Sequence, residues 1–578
     1  MLGKLNRIFI GLGLSLSLVA GVTAADNENS PKKPRRKNEP IMIFAKAWGP
    51  TEADVAAAKK RVESSAALQN EMKGAKYRLV AFEYIEEGPE DKSAPSQPPT
   101  RFRAIYYDYT NDQAVFAEGD FKGKEEITVR RESFDPGTGG EELQAAFDLV
   151  AKDPEFQRDY KAGKLEIYGA MPGVSNLNGE RLVNVGVRNI ETGENKIVGV
   201  SFKNDKVIRY EDNAPPTARA NPEACGIASA GQGSTGPGVA GQYQLTVTQN
   251  GTTLWEMLVI RPSSSSGASS ERSGIEVRDV KYKGKSVLKR GHVPILNVQY
   301  VNNVCGPFRD WQYAEGYFNA PAEGATNPAP GFRILADGQV ATTAVETRND
   351  FGNFQGVAVY KQDVGYGTEV VLVSEMNAGW YRYIMEWRFA PDGTIRPRYG
   401  FGSTTNSCVC SPRNHHVYWR FDFDIVQPNN KVFQVERGRK FLRAITTEAA
   451  ILRETQTNRS FLIQNANGDE AYQLTPGMND GSVTNDLGVL TDTFGGGDFW
   501  LLRFKGTAAS PGELDDPNTG AAANLAPWVN GESIDNQDIV IWYAAHQYRV
   551  DDASLTQMRD NVLTGKHVVG PDLRPVRW

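Results

Sequence analysis

From Met376 to Phe389 the chain reads Met-Asn-Ala-Gly-Trp-Tyr-Arg-Tyr-Ile-Met-Glu-Trp-Arg-Phe, and a period of two runs through it. Tyr381, Tyr383, Met385, Trp387 and Phe389 fall on one side of an extended chain; Trp380, Arg382, Ile384, Glu386 and Arg388 fall on the other. Five large side chains along one side of a strand need a second layer to cover them. Short alternating runs with turn signals between them recur from Gln242 to Trp578. That half is therefore predicted to be mainly β, a large antiparallel β-sandwich, with Tyr381 pointing into its interior.

The half before it has a different texture. Helical patterns at Thr51 to Lys73 (Val55, Ala58, Val62, Ala66) and Glu141 to Ala162 (Leu143, Phe147, Val150) are each followed by short strands. These are Tyr77 to Ile85, Arg101 to Tyr109 and Ala114 to Phe121 in the first case. In the second they are Lys164 to Gly169, Arg181 to Asn189, Lys196 to Lys203 and Val207 to Tyr210. The layout predicts two small α+β domains of repeated design, at 41–122 and 123–212. A Gly-, Ala- and Pro-rich linker at 213–241 joins them to the β-sandwich at 242–578.

Residues 1–25 carry Lys4 and Arg7, an apolar run from Ile8 to Val22 and the small-residue site Val22-Thr23-Ala24, the pattern of a secretory signal peptide. The apolar run is short for a spanning helix, so the expectation is a periplasmic or secreted protein with no stable membrane insertion after cleavage. Residues 26–40, with Pro31-Lys32-Lys33-Pro34-Arg35-Arg36-Lys37, lack apolar periodicity and are expected to be a disordered tether. A net charge of -6 gives no reason to expect a nucleic-acid partner. Four cysteines in 578 residues are too few for a disulfide scaffold.

Metal-binding candidates are few, because the chain has only five histidines: His292, His415, His416, His546 and His567. In the run from Arg413 to Ile425, His415, Val417, Trp419, Phe421, Phe423 and Ile425 share an apolar face, which turns His415 inward. His416 shares the polar face with Arg420, Asp422 and Asp424, and could join His415 only through a β-bulge. Cys408 and Cys410 lie just upstream, and thiolates there would make a site suited to Cu(I) or zinc. A Cys-x-Cys loop disulfide and two unpaired thiols are the other readings.

Several stretches, taken in order, resemble the copper amine oxidases. Ala378-Gly379-Trp380-Tyr381-Arg382-Tyr383, followed by Asp392-Gly393-Thr394-Ile395, is similar to the family's cofactor strand, whose middle tyrosine becomes topaquinone. Trp380 and Arg382 stand where the family has an asparagine and an acidic residue. Leu296-Asn297-Val298-Gln299-Tyr300 resembles an earlier family strand, and Ser273 to Tyr282 the opening strand of the catalytic domain. His546-Gln547-Tyr548-Arg549-Val550-Asp551-Asp552 resembles the stretch that carries the third copper histidine. His415, seven residues before Asp422, matches the second copper histidine, and Arg413 falls at the position of the first. A guanidinium stays protonated and cannot bind copper.

The resemblance implies an oxidoreductase that deaminates a small primary amine, with O2, to an aldehyde, ammonia and hydrogen peroxide. It implies a homodimer, copper on His415 and His546, with His416 as the third ligand if a bulge turns it inward, and a quinone made from Tyr381. Tyr300 would hydrogen-bond the quinone. A buried aspartate would take the proton; Asp310 is chosen for it, and a second register would put Gln312 there. Asp422, Asp424 and Asp538, with the carbonyls of Phe423 and Ile539, match the family's calcium ligands. The alternative is a catalytically inactive amine-oxidase-fold protein that serves as a binding or assembly module.

Overall fold

The computed structural model describes residues 40–85, 94–132, 136–192, 194–210, 225–228, 236, 238–265, 272–300, 308–365, 367–436, 441–454, 459–478, 480–481, 497–505, 525–549 and 568–578. The expected signal peptide, the tether up to residue 39, Cys305, His567 and the Asp551-Asp552 pair lie outside them. Among the described residues no helix is long and apolar enough to cross a membrane.

Each helical stretch expected in the first half is broken in two by its own sequence. Thr51 opens Glu52–Glu63 with a reciprocal cap, since Asp54 N donates to its hydroxyl and Asp54 accepts from Thr51 N. Ser65 then caps a separate helix, Ala66–Glu71, by accepting from Leu68 N. Gly140–Lys152 stops at Asp153, whose extended backbone (ψ 134°) is what a following proline demands, and Gln157–Lys161 starts after it. Each half-unit also has a four-stranded antiparallel sheet: Tyr77–Ile85, Arg101–Asp108, Gln113–Asp120 and Thr128–Glu132, then Leu165–Leu177, Glu180–Asn189, Asn195–Ser201 and Lys206–Arg209. Ala146 and Val150 of Gly140–Lys152 share one core with residues of both sheets. Met42–Ala47, assigned from sequence to the first small domain, instead pairs with Gln242–Gln249 at the rim of the large sheet.

The remainder is a 21-stranded sheet system whose pairs are antiparallel except for Phe332–Ile334 beside Val357–Asp363. It folds into two facing layers. One contains Thr368–Ala378, Tyr381–Phe389 and Ile395–Ser403 in consecutive pairing. The other contains Lys285–Tyr300, Arg413–Phe423 and Gln537–Arg549. Nearly every side chain on these strands is buried, because each layer is covered on both sides. Between the layers Trp387 meets Trp419 edge to face at 5.6 Å, and its Nε1 donates to Ile275 O at 3.1 Å. Gly291 is required there, since a Cβ would lie 2.6 Å from the Trp387 ring.

A turn at Ser407–Cys410 leads from the first layer to the histidine strand. Cys410 is bonded to Cys225, 185 residues earlier in the linker, and Cys408 is also disulfide-bonded. The thiolate-ligand, loop-disulfide and unpaired-thiol readings of the Cys-x-Cys pair are all corrected, because both cysteines are disulfide-bonded and the partner of Cys410 is Cys225.

Trp387→Ala should destabilise the protein by about 3–5 kcal/mol, read as a lower urea midpoint at unchanged slope. Loss of under about 1 kcal/mol would show that this pair does not anchor the interlayer core.

Candidate active site

Tyr381 begins its strand directly after a two-residue turn, Gly379-Trp380, in which Gly379 takes φ +58°. The turn projects Trp380 sideways, and its Nε1 donates to the Tyr300 hydroxyl at 3.1 Å. Tyr300 ends the Lys285–Tyr300 strand opposite Arg413, and its phenol is hydrogen-bonded to that of Tyr381. Two residues along, Tyr383 stacks on Tyr381 at 5.3 Å and donates its hydroxyl to Asp310 Oδ2. Asp310 is fixed through its own backbone, N donating to Leu296 O at 2.9 Å. Gln312 is spent elsewhere, donating to Val293 O and accepting from Tyr399 Oη. Of the two positions considered for a base, Asp310 is therefore the one beside the phenols.

These groups are fully buried, and burial sets their acidity. It pushes the Asp310 carboxyl up to about 8, partly offset by the Tyr383 hydrogen bond. Burial likewise lifts Tyr381 to about 12, opposed by the Arg413 charge and the bond from Tyr300. Tyr300 is raised well above the ordinary phenol value, again chiefly by burial.

The histidine strand supplies the other wall. His415 projects into the interlayer core, its ring 4.9 Å from that of Tyr381 and stacked on Phe401 at 4.3 Å. Arg413, two residues earlier on the same side, sits over the Tyr381 ring at 5.7 Å and donates to the carbonyls of Val409 and Ser411. Arg382, across the sheet from this cluster, is ion-paired with Asp350.

His416 and His546 do not join His415. They are register partners on adjacent strands and face the opposite way, their Nδ1 atoms 2.9 Å apart. The residue paired with His415 is Gln547. Pairing of Arg413–Phe423 with Gln537–Arg549 has no register shift, and its pairing with Lys285–Tyr300 is regular from Arg413 to Tyr418, so the bulge that would have brought His416 beside His415 is absent. The set His415, His416 and His546 expected for copper is thereby split between two faces of one sheet. Among the described residues one imidazole faces Tyr381, with a guanidinium next to it, and this donor set does not fit a three-histidine copper ion. Asp498, bonded to His546 Nε2 at 3.0 Å, had escaped sequence reasoning; nothing in the local pattern links residues 48 apart.

At the far end of the same strands, one carboxylate oxygen from each of Asp422, Asp424 and Asp538 lies within 4.8 Å of the others. Phe423 and Ile539 stand opposite each other between them. Three converging carboxylates, two of them buried, fit a hard cation such as calcium.

No family model and no curated protein matches the chain. Solved structures do. A copper-containing benzylamine oxidase from Hansenula polymorpha has a TM-score of 0.57 at 12% identity, covering 92% of this chain and 97% of that one. An amine oxidase from Aspergillus nidulans gives 0.54 at 14% identity, covering 92% and 88%. The Pichia pastoris lysyl oxidase gives 0.53 at 12% identity, covering 92% and 90%. The chain has the copper amine oxidase fold. Both the mainly β class and the two small α+β units read from sequence agree with that fold.

Because folding raises the Asp310 pKa from 3.8 to about 8, its contribution favours the native state below the unfolded value and is lost as pH rises through about 8. Asp310→Asn keeps an acceptor for Tyr383 but cannot ionise. Its melting temperature relative to the parent should therefore rise between pH 4.5 and 8, by an amount on the order of a few kcal/mol in stability. A pH-independent difference would refute the shift.

Proposed function

We propose that this is an exported protein that uses the amine-oxidase scaffold as a binding or assembly module and does not build a copper and quinone centre. One observation carries the reading: strand alternation puts His416 and His546 on the face away from Tyr381, leaving His415 beside the phenol with the Arg413 guanidinium. A permanently charged guanidinium near an ion site repels the ion electrostatically. A tyrosine must have copper at hand to be oxidised in the family's manner.

The test is quinone staining with nitroblue tetrazolium after copper loading, with Tyr381→Phe as control. No stain, and no peroxide released from primary amines, is the expected result. Staining that disappears in Tyr381→Phe would overturn the proposal.

A second reading is oxidative deamination of a small primary amine by O2, with Tyr381 as quinone precursor and Asp310 as base. It is favoured by the buried Tyr300, Tyr381, Tyr383 and Asp310 cluster, whose carboxyl has a pKa suited to proton transfer near neutrality. Amine-dependent peroxide release abolished by Asp310→Asn would select it. In either reading the protein acts in the periplasm or outside the cell, as a homodimer.

Calcium is proposed on Asp422, Asp424 and Asp538, with the carbonyls of Phe423 and Ile539. Elemental analysis of dialysed protein should find about one calcium per chain, lost in Asp422→Ala; retention of calcium in that variant would dismiss the site.

A further inference from the structure

The face of the histidine sheet turned away from Tyr381 carries a second polar constellation. Three strands contribute a row of register partners, Asn297, His416 and His546, each at most 5% exposed. Beside them on the same face Tyr418, Trp500, Trp542 and Ala544 form one apolar cluster, and Arg420 and Asp422 follow farther along the strand. The two buried imidazoles present their Nδ1 atoms to each other at 2.9 Å.

The tautomer of one of them follows from its neighbour. Asp498, fully buried, accepts from Arg453 N through Oδ2 and lies 3.0 Å from His546 Nε2 through Oδ1. An ionised Asp498 can only accept, which would place the His546 proton on Nε2 and turn the Nδ1 lone pair toward His416. A carboxylate behind the far nitrogen of an imidazole is how metal-binding histidines are commonly oriented and made more basic. Two nitrogens bound to one ion at about 2.0–2.1 Å lie about 2.8–3.4 Å apart for angles between perpendicular and tetrahedral. The observed separation falls at the short end of that range. Asn297 adds an independent sign: its Oδ1 accepts from Arg309 Nε, whereas its buried Nδ2 has no hydrogen-bond partner. Such a donor, one strand from His416, is suited to a water or hydroxide completing an ion's shell.

We infer that His416 and His546 bind a borderline divalent transition metal, zinc or copper(II), through their Nδ1 atoms, with Asp498 as the positioning residue behind His546. The site is separate from the phenol cluster, since a whole β layer divides them. It does not depend on whether Tyr381 is ever oxidised. The other account of the nitrogen contact is an ordinary hydrogen bond with one proton between the two Nδ1 atoms, which predicts no metal affinity.

The experiment is calorimetric titration of the full-length chain, stripped with chelator, with zinc chloride and separately with copper(II), in buffer holding millimolar calcium to occupy the carboxylate site. About one equivalent should bind, be lost in both His416→Gln and His546→Gln, and weaken by about 10–100-fold in Asp498→Asn. His415→Gln should bind like the parent. Circular dichroism and melting of each variant without metal separate lost binding from lost folding, and His546→Cys, which replaces imidazole by a thiolate, should retain zinc. Binding that survives His416→Gln, or that vanishes in His415→Gln, overturns the assignment. Failure of the parent to bind either ion does so equally and leaves the ordinary hydrogen bond.

Discussion

The structure depends on the packing of two β layers face to face through aromatic side chains, Trp387 against Trp419 and Tyr381 against His415. A strand offers alternate residues to its two sides, so this contact fixes the direction of every other side chain on the strands involved. Once Trp419 and Phe421 are committed to the interlayer core, His415 and Arg413 must follow them. By the same rule His416 goes to the other face, where it meets Tyr418 and the tryptophans of the outer cluster. The division of the histidines is a direct consequence of core packing.

Burial on both sides of the histidine strand gives its polar groups their character. Asp310 is held against phenols in a fully buried place, which keeps it protonated far above the usual carboxyl range. Arg413 is kept over the Tyr381 ring by carbonyls of the turn that the Cys225–Cys410 disulfide ties down. Tyr381 therefore has a cationic neighbour at the place where the fold's copper enzymes, by resemblance, carry a ligand. Fold and chemistry separate here: similarity at 12–14% identity fixes the course of the chain and leaves the side chains at its centre to be judged one by one.

The same strands carry three polar groupings at different heights and on different faces: the phenols with Asp310, the His416 and His546 pair, and the carboxylates of Asp422, Asp424 and Asp538. The His416 and His546 pair is assembled by cross-strand register between segments 130 residues apart, and the phenol cluster by facing layers whose bonded residues are 73 and 81 apart. A register slip of one residue would exchange the faces of His415 and His416, which makes the aromatic packing of Trp419 and Phe421 a specificity device for the site as well as a source of stability.

Sequence alone determined the period-two stripe of Tyr381 to Phe389, the inward turn of His415, the two small α+β units and the carboxylates near Asp422, because each follows from local alternation or propensity. The family resemblance also implied that Arg413 falls at a ligand position. Sequence could not show whether His546 shares a face with His415 or with His416, since that parity is set by the pairing of strands 130 residues apart. Nor could it join Cys225 to Cys410 or bring Asp498 behind His546. Those outcomes rest on which backbones become neighbours, and only the packed tertiary structure decides that.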